Sequence, residues 1–180
     1  DYLLKASQVG SEPTRNSFIG ARCIYSRDPE IDEIIKKIPV YPIWEKEDKI
    51  LSFYSALKLN HGFFWREAEK TNDIYLKTRV AADIVLFGMR MLLAYNEKLF
   101  PCQKWLLRIV NELDRKPENI VNKAKEFLLK LDDSTKDDFV NAILSFCDWK
   151  IPRDYSKVLT RFIEDNEQWW YNNRPNLVEW

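Results

Sequence analysis

Four charged residues, Arg79, Asp83, Arg90 and Glu97, fall in and around an otherwise apolar run, Val80 to Tyr95. Their separations are four, seven and seven positions. At about 100° per residue those steps nearly realign, so a helix carries all four on one stripe. A charge kept on a core helix is costly unless it is paired. Two readings account for the stripe. One is an internal ion-pair network, with Arg79 bonded to Asp83 at i,i+4 and Arg90 to a carboxylate elsewhere. The other is a cleft that binds an anionic or polar ligand.

A second group follows at once, from Tyr95 through Asn96, Pro101 and Cys102 to Lys104 and Trp105. Asn96 ends the central helix, and Lys104 falls in the first turn of the next. A lysine there has the wrong sign for the helix dipole, so its position carries no helical advantage. It either meets a phosphate or carboxylate entering between the helices, or stands in solvent while Trp105 packs inward. Arg90, Asn96 and Lys104 are expected to converge on one concave region, with Asp83 orienting Arg90. These four are the candidate binding residues. Two cations and an amide would suit a polyphosphate or a polar acceptor.

The other candidates carry less chemistry. His61 is the single histidine, next to Trp65 and Arg66, and is either a general base or a structural side chain. No second histidine or nearby cysteine gives it a zinc-ligand spacing. Cys23, Cys102 and Cys147 are odd in number and far apart, which argues against a disulfide framework. Asp28, Glu30 and Asp32 alternate, but Pro29 and the helical run after it disfavour a metal-binding strand. Gly10-Ser11 reads as an ordinary turn. The acidic run Asp132-Asp133 and Asp137-Asp138 reads as helix capping and solvation. The aromatic end, Trp169-Trp170-Tyr171 with Trp180, reads as a tail packed across the bundle.

The elements that must position these residues are mostly helical. The chain has only 4 glycines, and its 8 prolines fall between periodic segments. Ser17 to Tyr25 is β-branched and aromatic with partial alternation, which predicts a strand; Pro29 opens a short helix over Glu30–Ile38. Helical spacing then predicts a long helix over Glu45–Glu69 and the central helix over about Asp73–Lys98. Further helices follow Pro101, Pro117 and Ser134-Thr135, and the last covers about Asp154–Trp170. The expected fold is mainly α: a bundle of five or six helices behind a short strand-containing N-terminal segment. The expected division is 1–42, the remnant or edge of an αβ domain, and 43–180, a helical substrate-binding domain.

Composition bounds the partners. Of 180 residues, 46% are hydrophobic, too many for a disordered chain, and 28 basic residues balance 28 acidic ones. Zero net charge argues against general nucleic-acid binding. The run Val80 to Tyr95 falls short of the roughly 20 residues a bilayer span needs. With no signal peptide in view, the expectation is a soluble, cytoplasmic protein without membrane contact.

The stretch Arg79 to Leu106 resembles the helical C-terminal domain of nucleotidyltransferases with the polymerase-β-type catalytic fold. The shared pattern is filled here by Asp83, Arg90, Asn96, Pro101, Lys104, Trp105 and Leu106. Gly20 to Asp28 similarly resembles the last catalytic-domain strand and the turn that leaves it. The resemblance covers about a third of the chain directly. It implies a substrate-binding module, in a protein that moves a nucleoside monophosphate from NTP to an acceptor hydroxyl. It implies Mg²⁺ and NTP, ATP among them, in the full-length enzyme, bound through an Asp-x-Asp pair that this chain lacks. This chain is therefore expected to bind no cofactor itself, to contribute no catalytic residue, and to meet a small-molecule acceptor and the nucleotide. The competing function is a non-catalytic helical interaction module, for example one half of a toxin–antitoxin-type pair.

Overall fold

The computed structural model describes residues 1–172 and 174–180. Its described residues form ten α-helices and no strand. In chain order they are α1 (Tyr2–Val9), α2 (Glu12–Ser17), α3 (Glu30–Lys37), α4 (Lys46–Leu59) and α5 (Trp65–Thr71). Then come α6 (Ile74–Tyr95), α7 (Leu106–Asn111), α8 (Ile120–Lys130), α9 (Asp133–Leu144) and α10 (Tyr155–Asn166). The mainly α expectation holds, and the helices from Glu45 onward fall close to where periodicity put them.

The strand does not. Ser17 ends α2, and residues 21–29 run as irregular chain. Ile24 is 99% exposed and Tyr25 79%. A strand exists only through backbone pairing with a neighbour. Here no backbone hydrogen bond fixes the amides of Arg22 to Arg27. The N-terminal segment is instead helical. Ser11 caps α2 by accepting from the Thr14 amide, and Pro13 occupies the first turn, where its missing N–H costs nothing.

α6 is the axis of the bundle. Asp73 caps it, accepting from the Leu76 amide. From Ile84 to Ala94 every residue is buried, so this helix is covered on all sides. α4 packs along it and α10 packs on α4, while α8 and α9 pack on each other and both touch α6. Gly88 permits the close approach of α9, since a Cβ there would stand 3.1 Å from the Phe139 ring. The long helix expected over Glu45–Glu69 is continuous but not uniform. A π-helical turn, Asn60–Phe64, separates α4 from α5. Such turns are rare and widen one turn by a residue.

Both termini fold back onto this bundle. The Glu12 amide donates to the Glu179 carbonyl at 2.8 Å, and Leu177 and Trp180 are buried. The expected packing of the aromatic tail therefore holds for Trp180. Trp170 and Tyr171 stay exposed.

Candidate functional site

Arg90 lies at the centre of the molecule, 0% exposed. Its Nη1 donates to the Val178 carbonyl at 2.7 Å; Nη2 donates to Glu12 Oε2 at 3.3 Å and to the Trp180 backbone oxygen. Phe53 and Phe100 stack on the guanidinium, with centroids 4.4 and 4.2 Å from its carbon. Burial pulls this guanidinium below its ordinary value, and the Glu12 carboxylate opposes that pull. Glu12, 2% exposed, serves three donors at once. Besides Arg90 it accepts from Lys49 Nζ at 2.7 Å and from the Phe100 amide at 2.8 Å. Arg15, also buried, spends its donors on the carbonyls of Ser7, Gln8, Gly10, Ile38 and Val40. The ion-pair reading of Arg90 is the one its contacts support. This network also ties the segment before Pro42 to the helices after it.

The other three candidates stand apart from Arg90. Asp83 is bonded at 2.8 Å to Arg79, one turn back, and does not touch Arg90. Asn96 caps the end of α6: its Nδ2 donates to the Leu92 carbonyl at 2.8 Å and the Arg115 carbonyl at 2.7 Å. Lys104 is exposed beside the ring of Trp105, 5.5 Å from its centroid, and Arg108 approaches the same ring at 5.2 Å. No hydrogen bond or ion pair joins any two of Asp83, Arg90, Asn96 and Lys104. Arg90, expected to point into a concave region with Asn96 and Lys104, has no exposed surface and faces protein groups instead.

A cleft does open at the C-terminal end of α6. Its cavity of about 520 Å³ lies within the range of small-molecule sites. Tyr95 and Trp149 line it, their rings edge-on with centroids 5.7 Å apart, and Phe146 meets Tyr95 from behind at 5.5 Å. Trp149 is fixed by its Nε1, which donates to the Ile143 carbonyl at 2.9 Å. On the rim Lys46 bonds Glu97 at 2.7 Å and reaches over the Tyr95 ring. Lys150 and Asp148 face them from the loop after α9, where Lys150 takes a left-handed φ of 52°. Aromatic walls with few charged groups can hold a polar ring by stacking and orient it by hydrogen bonds.

Of these residues only Tyr95 and Glu97 carried a signal in the sequence. Lys46 and Trp149 did not, because their meeting with Tyr95 is set by tertiary packing. The loose trio of Asp28, Glu30 and Asp32 sits at the start of α3, where Asp28 accepts from the Glu30 amide and Asp32 pairs with Lys36. Among the described residues no group of three or more His, Cys, Asp or Glu could hold a metal ion. The three cysteines are free. No described helix is long and apolar enough to cross a membrane. Comparison with protein families, curated proteins and solved structures finds no match to this chain.

Proposed function

We propose that the chain is the helical substrate-binding part of a nucleotidyltransferase-like protein, which transfers a nucleoside monophosphate from NTP to an acceptor hydroxyl. The observation that carries the reading is the cleft between Tyr95 and Trp149, formed where the motif running from Asp83 to Leu106 leaves its helix. In this reading the motif divides its labour. Arg90 and Asn96 build the scaffold, by sealing the core and capping α6. Tyr95 and Trp149 supply the surface on which a hydroxylated acceptor stacks. Lys104, in the 3-10 turn Gln103–Trp105, stands in solvent where it could meet a phosphate. Mg²⁺ and the catalytic carboxylates belong to other parts of such a protein.

The test uses the full-length protein with Mg²⁺, each of the four NTPs labelled at the α-phosphate, and a set of aminocyclitol and sugar acceptors. Transfer of label to an acceptor is expected. Tyr95→Ala should raise the acceptor KM about tenfold with little change in nucleotide KM, and Lys104→Ala should do the reverse. Absence of label with every NTP and acceptor would sink the reading. A helical interaction module is then the alternative. The exposed neighbours Ile24 and Tyr25, with Trp44 also exposed, would supply apolar contacts for such a module if a partner covers them.

A further inference from the structure

On the side of the molecule where α4 passes through its π-helical turn, a second cleft of about 680 Å³ opens. His61, Lys58, Arg66, Lys136, Asp137 and Tyr155 are among its lining. The extra residue in the turn matters to this lining. It brings His61 and Arg66, five positions apart, to the same cleft, a spacing that a regular helix would rotate apart.

His61 does not sit there unoriented. Its Nε2 lies 2.8 Å from Asp137 Oδ1, a residue 76 positions later on α9. With Nε2–H donating to that carboxylate, Nδ1 has no partner among the described residues. It accepts a hydrogen bond in the neutral ring and donates one in the imidazolium.

The charges of the cleft divide unevenly. Each of its carboxylates is already engaged within the chain: Asp133 by Lys136 at 2.5 Å and by Trp65 Nε1 at 2.8 Å, Asp137 by His61, and Glu69 by Lys77 at 3.3 Å. Lys136 is likewise spent, within 4 Å of both Asp133 and Asp137. Lys58 and Arg66 are not. Among the described residues no carboxylate pairs with either, and Arg66 bonds only through Nε, to the Gly62 carbonyl. Its two terminal nitrogens are therefore free for a planar, bidentate contact.

We propose that this cleft binds a phosphate dianion, free or as the terminal group of a phosphomonoester, held by Lys58 and Arg66, with Nδ1–H of the His61 imidazolium donating to it. The site is independent of the acceptor cleft, and it stands whether or not the chain serves a nucleotidyltransferase.

The single histidine makes the test clean, because its Hε1 proton gives one isolated NMR signal. Inorganic phosphate and adenosine 5′-monophosphate are titrated separately, at ionic strength held constant with chloride. The His61 signal should move saturably with at least one of them. Tighter binding of the nucleotide would identify an esterified phosphate as the natural source; equal or tighter binding of inorganic phosphate would identify the free ion. Lys58→Ala and Arg66→Ala should each weaken binding about tenfold, the scale of one lost charge-assisted hydrogen bond. Lys36→Ala, remote on α3, should leave it unchanged. Both cleft variants alter exposed or half-buried groups, and their amide spectra check that the fold survives. A drift that does not saturate, or saturation that Lys58→Ala and Arg66→Ala leave intact, would overturn the proposal.

Discussion

Glu12→Ala is the most informative single substitution. Among the described residues Glu12 is the only side-chain carboxylate paired with Arg90, and it holds buried Lys49 as well. Removing it strips the counter-charge from a cation that is 0% exposed and weakens that of one that is 1% exposed. Lys49 keeps a second carboxylate, Glu45 at 3.2 Å, whereas Arg90 keeps the backbone oxygens of Val178 and Trp180. Breaking a buried pair costs about 3–5 kcal/mol, since the surviving charge stays desolvated. With a urea m-value of about 2 kcal/mol/M, the unfolding midpoint should fall by about 1.5–2.5 M. Glu12→Gln keeps the volume and one acceptor and should lie between alanine and wild type. The control is Arg90→Met, which leaves Glu12 paired to Lys49. Coupling between Glu12→Gln and Arg90→Met of at least about 1 kcal/mol is expected for residues in one network. A midpoint shift under about 0.3 M for Glu12→Ala would refute the buried network. So would an Arg90→Ala protein that keeps its stability while losing affinity for NTP; that outcome would restore Arg90 as a ligand contact.

Two further outcomes follow from the packing. The start of α9 should make stability depend on acid. The Lys136 hydrogen bond holds the Asp133 carboxyl below its ordinary value of 3.8, and the Thr135 amide does the same for Asp132. A carboxyl whose folded value is depressed contributes stability that is complete above the unfolded value and drains away as pH falls through the folded one. The melting temperature should therefore drop below about pH 3.8, and the pair Asp132→Asn and Asp133→Asn should flatten that drop; an unchanged slope would count against the assignment. Gly88→Ala sets helix propensity against space. Alanine gains about 1 kcal/mol in a helix interior, but forcing a methyl against a packed ring costs about 1–3 kcal/mol. With Phe139 fully buried and 3.1 Å away, destabilisation by up to about 2 kcal/mol is expected in urea unfolding, and a more stable variant would show that α9 yields.

What the sequence made legible was periodic, and what it hid was long-range. The covered length of α6 showed in its run of apolar residues interrupted by Asp83 and Arg90 alone, because a helix buried on all sides has no broad polar face to confuse the pattern. The starts of α8 and α10 showed through Pro117 and Asp154 for the same local reason. Ser17 to Tyr25 misled because β-propensity describes a side chain that suits a pleated surface, and no such surface is present to receive Ile24 and Tyr25. The helix α2 has a local signal within its own sequence: Ser11 is a cap and Pro13 a first-turn proline, although Gly10-Ser11 reads as a plain turn.

The charges show the same limit more sharply. Spacing placed Arg79, Asp83 and Arg90 on one helix and predicted the Arg79–Asp83 bond, which is local. It could not choose between core and cleft for Arg90, because its partner Glu12 lies 78 positions away on a helix of six residues. His61 is the converse case. Its identity is conspicuous, but its orientation comes from Asp137, and its neighbours Lys58 and Arg66 share a cleft only because the helix takes one extra residue in that turn. A regular turn there would leave Arg66 about 100° further round the helix for each residue of slip. The π-helical turn is thus the local feature on which the second cleft depends. Inserting an alanine after Gly62 lengthens the step from five residues to six and should carry Arg66 about 100° further round the helix, away from His61. Circular dichroism should then keep its helical signal while the phosphate response of His61 disappears; a response that survives the insertion would show that the turn does not assemble the site.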